Sequence, residues 1–311
     1  MKKKVSIIIP LYQNENNISL TYTKLSQDVF VHLPEYELIL IDDGSKDNSY
    51  QEALKLQAQN DKVRVIKLSR NFGQHQAIMA GYANSTGDCI VTIAADMQDP
   101  PELIIQMYLK WKEGSKVVFA ARKSRKDGII SELFSKITYK LVKPIFANFP
   151  QGGIGFSLID KSIKDLLIKM NEKNSTVFYQ VLWMGFNPFI IYYERPIRDI
   201  GKSTYTVSKK IKNLVDLILQ FSYYPIRLIS IFGIIDCFFS FIYMMYLMFH
   251  KIFGGVSLSG WPSLMTAIMF TSGVQMLTLG IIGEYLWRNF DATRTRPLYI
   301  IDEKSGFNDN I

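Results

Sequence analysis

Five short apolar runs, the first four each followed by a stretch of helical character, constrain this chain more than any other feature. They are Val5–Pro10, Glu37–Ile41, Val63–Leu68, Cys89–Ile93 and Val117–Ala121. Each is rich in β-branched residues and short enough to read as a strand buried on both faces. Between them, Asn16–Val31, Asp47–Gln59, Phe72–Ala83 and Glu102–Lys112 read as helices, with Asn16 or Asn17 expected to cap the first. Alternation of this kind predicts an α/β fold with a mostly parallel sheet and helices on both faces. No glycine-rich dinucleotide fingerprint follows the first strand.

The chemistry gathers where these strands end. The first runs into Pro10-Leu-Tyr-Gln-Asn14-Glu15 and the second into Asp42-Asp43-Gly44-Ser45. The fourth reaches Asp96 and Gln98 just before Pro100 and Pro101 open the next helix. In open α/β sheets, ligands bind outside the carboxyl ends of the strands. Carboxylates collected there repel one another unless a cation or hydrogen-bond donors lie among them. The hard oxygens of Asp96 and Gln98 suit Mg²⁺ or Mn²⁺, which can in turn hold a diphosphate. Taken singly, each motif is also an ordinary turn or cap. Three of them at strand ends of one sheet argue for a site.

The rest of the chain is more apolar. Of 311 residues, 48% are hydrophobic. The excess sits in Leu228–Phe249 and Leu264–Trp287, each about 22–24 residues, or roughly 33–36 Å as a helix, enough to cross a bilayer. The connection Lys251–Pro262 is short, so the pair reads as a transmembrane hairpin with both ends on one side. Lys209, Lys210, Lys212, Arg227, Arg288, Arg294 and Arg296 flank that side, whereas the connection carries only Lys251. This bias places both ends in the cytoplasm. His250 and Trp261 suit the far interface. Asp236 would lie about nine residues inside the first helix and needs a partner, expected near Gln275 and Thr278 or on a neighbouring subunit.

The net charge of +8 therefore fits an anionic membrane surface. Nucleic acid is not expected as a partner, because no basic recognition helix or aromatic RNA-binding pattern occurs. Ser131–Ile145, with Lys136, Lys140 and Lys143 on one face, and Lys209–Phe221 are expected to be amphipathic helices at that surface. Cys89 and Cys237 are not expected to pair. His75 reads as a surface residue. Lys2–Lys4 followed by Val5–Ile9 is too short for a signal peptide.

In their order and spacing, PLYQNE, IDDGS and AADMQDPPE resemble the nucleotide-sugar-binding signature of family 2 glycosyltransferases, which have the GT-A fold. Arg70-Asn71-Phe72-Gly73 with Ala80-Gly81 resembles their next block. Further blocks resemble the polyprenyl-phosphate subgroup, relatives of dolichol-phosphate mannose synthase and of bactoprenol glucosyltransferases. These are Ile200-Gly-Lys-Ser-Thr-Tyr205, Phe221-Ser-Tyr-Tyr-Pro225-Ile-Arg227, Gly260-Trp261, Gly280-Ile-Ile-Gly283-Glu284-Tyr285 and Arg296-Pro297-Leu-Tyr299. Gln180-Val-Leu-Trp183 lacks the arginine of the QxxRW signature of processive polysaccharide synthases.

The resemblance implies roles. Pro10, Tyr12, Asn14, Glu15 and Asp42 would line the nucleotide pocket, with Asp43 beside the sugar nucleotide. Asp96 and Gln98 would hold Mg²⁺ or Mn²⁺ on the diphosphate. Asp43, Asp96 and Arg122 are the candidate catalytic residues, and Arg122, Arg125 and Lys126 the candidate partners of the acceptor phosphate. Two departures stand out. Ala94 replaces the first acid of Asp-x-Asp-x-Gln, so weaker metal binding is expected. Gly155-Phe156-Ser157-Leu158 replaces Asp-Phe-Arg-Leu, removing an acid and a phosphate partner.

The expected organisation is a Rossmann-like GT-A core over 1–125, an acceptor-binding and juxtamembrane region over 126–225, a hairpin over 226–288 and a cytoplasmic tail over 289–311. Arg296–Ile301 is a candidate strand within that tail. The expected activity is an inverting transfer from a nucleotide diphosphate sugar to polyprenyl phosphate. The enzyme would be a multi-pass protein of the inner (plasma) membrane, its catalytic domain cytoplasmic, in contact with membrane lipid and assembled as a homo-oligomer. Two alternatives stay open at this point: a nucleotide-sugar-binding membrane protein that has lost catalysis, and an enzyme acting on a lipid-linked glycan.

Overall fold

A computed structural model describes residues 2–96, 98–123, 138–173, 175–194, 214–219, 221–222, 224–254, 260–294 and 296–307. Backbone contacts divide the chain into two units, Met1–Lys210 with Arg296–Ile311, and Ile211–Thr295.

The first unit is built on one eight-stranded sheet. Its strands are β1 (Lys4–Leu11), β2 (Glu35–Asp42), β3 (Val63–Leu68), β4 (Cys89–Thr92), β5 (Val117–Arg122), β6 (Ile154–Asp160), β7 (Phe189–Tyr193) and β8 (Ile301–Ser305). They lie in the order β7-β5-β6-β4-β1-β2-β3-β8. β3, β2, β1 and β4 run parallel to one another. β6 enters antiparallel between β4 and β5, and β7 pairs parallel with β5. Because β6 runs the other way, its first residues lie beside the carboxyl ends of β4 and β5. Four neighbouring strands thus contribute to one edge.

The five expected strands form at nearly the expected bounds because their residues are wholly buried. Val5, Ile7, Ile8, Leu38, Ile39, Val63, Val65, Ile90 and Val91 are all at 0% exposure. A buried aliphatic side chain of this size contributes roughly 1.5–3 kcal/mol. Helices α1 (Glu15–Asp28), α2 (Ser49–Gln59), α3 (Gln74–Ala83) and α4 (Leu103–Lys112) fill the connections. Neither Asn16 nor Asn17 caps α1. The cap position is Asn14, whose Oδ1 instead accepts from Tyr12 N at 2.9 Å and closes the preceding loop.

Strands β6 and β7 go beyond the sequence reading, as do α5 (Lys161–Met170) and α6 (Val177–Trp183). The strand of the C-terminal segment is Ile301–Ser305 rather than Arg296–Ile301. It pairs antiparallel with β3 and covers an edge that would otherwise be open. The helix expected over Ser131–Ile145 is described only from 138; it ends at 142, and a turn follows at 143–145. Pro144 disfavours helical geometry in the residue before it. Lys136, Arg125, Lys126 and the block at 200–205 lie outside the described residues.

The second unit contains α7 (Tyr224–Gly254) and α8 (Trp261–Thr293). Windows Pro225–Tyr243 and Ala267–Thr293 have mean hydropathies of 1.8 and 1.3, and neither is buried within the protein. Both are long and apolar enough to cross a membrane. At one end, Arg288 Nη2 donates to Asp216 Oδ1 at 2.5 Å and to Glu284 Oε1 at 2.9 Å. The side chains of Asp236, Cys237, His250 and Trp261 are outside the described set.

Candidate active site

The loops that leave β1 and β2 are bolted together. Gln13 N donates to Ser45 Oγ at 3.1 Å, Asn14 N to Ser49 Oγ at 2.8 Å, and Asn48 N to Glu15 Oε2 at 3.0 Å. Gln13 adopts a left-handed φ of 54° to make this turn. Tyr12 stands 42% exposed beside it, and Pro10 pairs with Ile41 one step before the loop.

Asp42 and Asp43 end β2 and are 1% and 3% exposed. Asp43 uses both oxygens on the loop after β3, accepting from Phe72 N at 2.7 Å and Gly73 N at 2.9 Å. Its contribution therefore runs through that loop. Gly44 makes the contact possible, since a Cβ there would lie 2.5 Å from the Arg70 carbonyl carbon. Asp42 is different. Its Oδ2 accepts from Ser45 N at 3.2 Å, but its Oδ1 is buried with no partner. Burial raises both carboxyls above their usual range, and the backbone donors only partly offset this. A buried carboxylate oxygen without a donor is costly, and a ligand N–H or O–H would relieve it.

Beyond β4, Thr21 Oγ1 on α1 donates to Ala95 O at 3.2 Å and fixes the next loop. There Asp96 is half-buried and its Oδ1 accepts from Gln98 N at 3.3 Å. Among the described residues, no three His, Cys, Asp or Glu side chains gather as a ready cation cage. The donors present, one carboxylate and one amide, are hard oxygens that fit Mg²⁺ or Mn²⁺ when diphosphate and water complete the shell. Ala94 sits where a second carboxylate would be expected.

Asp99 lies within the same motif, one residue after Gln98, and the sequence reading gives it no role. It is 3% exposed, accepts from the Tyr193 hydroxyl at the end of β7, and lies 3.9 Å from Arg122 Nη2 at the end of β5. Arg122 Nε is buried and unpartnered. Tyr193 had no signal in the sequence, because nothing there places β7 beside β5. His75 is half-buried at the start of α3, and its Nδ1 accepts from Val177 N at 3.4 Å. Desolvation lowers its pKa to about 4, so it is neutral at pH 7.

The edge thus carries acceptor oxygens at the ends of β1 and β2, oxygen donors in the loop after β4, and a cation at the end of β5. The sequence model of glycosyl transferase family 2 matches residues 6–159. The glycosyltransferase YkcC of Bacillus subtilis is 37% identical over 303 residues, which cover 97% of this chain and 94% of that protein. The chain belongs to glycosyltransferase family 2.

Within this family, a prophage bactoprenol glucosyl transferase homolog of Escherichia coli is 31% identical over 300 residues, covering 96% of this chain and 98% of the relative. Among solved structures, glucosyl-3-phosphoglycerate synthase from Mycobacterium tuberculosis, in complex with Mn²⁺, uridine diphosphate and glucosyl-3-phosphoglycerate, aligns with a TM-score of 0.51 at 16% identity. The alignment covers 70% of this chain and 80% of that one. The likeness shows the fold: a GT-A sheet, here followed by two long apolar helices. The chain is a glycosyltransferase.

Proposed function

We propose that this glycosyltransferase moves a sugar from a nucleotide diphosphate sugar to polyprenyl phosphate, with inversion, at the cytoplasmic face of the plasma membrane. One observation carries the reading. The edge that holds Asp42 and Asp96 also holds Arg122 with a buried, unpaired Nε, in a chain that carries two apolar helices of membrane-crossing length. Its similarity to bactoprenol glucosyl transferases along nearly the whole chain supports the same acceptor.

In this reading, the unpaired Asp42 Oδ1 accepts from the nucleotide, and Tyr12 offers its exposed ring to the base. Asp96 and Gln98 hold Mg²⁺ or Mn²⁺, which offsets charge on the leaving diphosphate when bound. Arg122 holds the acceptor phosphate. A phosphate oxygen attacks the anomeric carbon from the face opposite the diphosphate; the new C–O bond forms as the old one to the diphosphate breaks. A phosphate monoester has a second pKa near 6 and is already anionic at neutral pH, so it needs positioning more than deprotonation. That suits a site whose Asp43 has both oxygens committed to backbone donors and whose Asp99 accepts from Tyr193. It also suits the glycine at 155.

The test uses full-length protein in detergent with Mn²⁺ or Mg²⁺, radiolabelled nucleotide sugars and polyprenyl phosphate. The expected product releases free sugar in mild acid, as glycosyl phosphates do. A product with an acid-stable sugar–sugar bond would sink the proposal and favour a lipid-linked glycan as acceptor.

A further inference from the structure

The carboxyl ends of β5 and β7 meet the amino end of β6 and the loop after β4 at a single point. Gly155 is the second residue of β6. A Cβ there would overlap the Tyr193 hydroxyl and come within 3.2 Å of Asp99 Oδ1. Tyr193 is 6% exposed and donates to that same Asp99 oxygen. Arg122 Nη2 lies 3.9 Å from it. The backbone keeps these groups in register: Arg122 pairs with Tyr193 across β5 and β7, and Lys123 N donates to Tyr193 O at 2.8 Å. Burial, with the Asp99 charge beside it, pushes the Tyr193 phenol up, so the hydroxyl keeps its proton through the neutral range.

We propose that Tyr193 and Asp99 are positioning residues for the acceptor phosphate: Tyr193 holds the Asp99 carboxylate, Asp99 sets a counter-charge 3.9 Å from one end of the Arg122 guanidinium, and the unpaired Nε is left for a phosphate oxygen. The inference rests on the proposed phosphate acceptor. Guanidinium presents five donors in a rigid fork, so anchoring one edge orients the rest. An unpaired buried donor is unfavourable until an acceptor arrives. A charge-assisted bond from an anionic phosphate would be the strongest available.

The same geometry explains why position 155 is glycine. A carboxylate there would compete with the Tyr193 hydroxyl for space and set a second negative charge beside Asp99. Like charges that close raise each other's energy and would repel an incoming dianion. Tyr193 fills the room with a neutral donor instead, so the subsite keeps the positive charge of Arg122.

The variants Tyr193→Phe, Asp99→Asn and the pair Gly155→Ala and Gly155→Ala/Tyr193→Phe test this in full-length enzyme. KM is measured separately for polyprenyl phosphate and for the nucleotide sugar, alongside the thermal midpoint. Tyr193→Phe should raise the acceptor KM about tenfold, and Asp99→Asn more, with donor KM within about twofold of wild type. Gly155→Ala should lower the thermal midpoint, and removing the Tyr193 hydroxyl in the double variant should recover part of that loss. Equal shifts in donor and acceptor KM, or a fall in kcat alone, would mark a merely structural role and overturn the inference. So would an unchanged acceptor KM in Tyr193→Phe and Asp99→Asn while wild type makes a glycosyl phosphate; that result leaves the proposed function standing. A wild-type enzyme that transfers only to glycan hydroxyls would overturn both.

Discussion

At the scale of single residues, the site holds a polar group that the fold leaves unsatisfied. Asp42 carries a buried carboxylate oxygen that nothing in the protein satisfies. Its pKa is raised, chiefly by burial. A raised folded-state value means its favourable contribution is present below the unfolded value of 3.8 and is lost as pH rises through the folded value. Near neutral pH, the ionised Asp42 is therefore a cost to the ligand-free protein. Asp42→Asn keeps an acceptor for Ser45 N and removes the charge. It should raise the thermal midpoint of the ligand-free protein at pH 7, by about 2–4 °C if roughly 1 kcal/mol is recovered. The same change should weaken uridine or guanosine diphosphate binding, as measured by calorimetry. A lower midpoint with unchanged binding would show that Asp42 is a structural acid.

Asp96 stands without a second acid at position 94, so the metal reading concentrates on one side chain. Asp96→Ala, or chelation of divalent cation, should lower turnover by about 100-fold or more. Gln98→Ala should lower it less. Full activity in excess chelator would remove the cation from the reaction.

At the scale of elements, the opposite edge of the sheet does the holding. Glu37 on β2 is 1% exposed. It accepts from Ser6 Oγ on β1 at 2.5 Å and from Thr86 N at 2.7 Å, and pairs with Lys4 Nζ at 2.9 Å and Arg64 Nη1 on β3 at 2.8 Å. One side chain thus ties β1, β2, β3 and the turn before β4. Burial works to raise its pKa, but the Ser6 and Thr86 hydrogen bonds and the Lys4 charge outweigh burial and hold it below 4.5. A lowered value means the stabilisation is full above 4.5 and fades as pH falls through the folded value. Glu37→Gln should cost about 3 kcal/mol in urea denaturation at pH 7. The gap between variant and wild type should narrow as pH falls through the lowered folded value. A gap independent of pH would mean that shape, not charge, holds this edge.

The elements also show where sequence reasoning stops. β1 to β5 were legible because each is a dense aliphatic run. β6, reading Ile-Gly-Phe-Ser-Leu-Ile-Asp, has a glycine and a serine in its first four positions. β7 is a five-residue aromatic strand whose outer side chains Phe189 and Tyr192 are 40% and 49% exposed. Neither pattern separates from a loop without its neighbours, because β-propensity reflects packing against adjacent strands more than an intrinsic preference.

At the scale of the whole molecule, two long apolar helices interrupt a chain whose final strand returns to the sheet. With Arg227, Arg288, Arg294 and Arg296 near the outer ends of the two helices and only Lys251 near the connection, the reading as a hairpin predicts both termini on one side. Tags at residue 1 and residue 311 should be protected from external protease in intact cells. In a variant lacking Cys237, Ser257→Cys should react with an impermeant maleimide added outside. Labelling of a C-terminal tag from outside would overturn this topology.

The α/β alternation, the strand ends where Asp42, Asp43, Asp96 and Gln98 stand, and the two apolar helices are all legible in the sequence. These follow from local periodicity and turn chemistry, which the chain expresses within about ten residues at a time. Which carboxylate oxygen goes unsatisfied depends on the fold. It left Asp42 with an unpaired oxygen, committed both oxygens of Asp43 to a loop thirty residues away in the chain, and brought Asp99, Arg122, Gly155 and Tyr193 together from four separate elements. Such convergence depends on strand order, and strand order is set by how whole faces pack, which no single stretch of sequence contains.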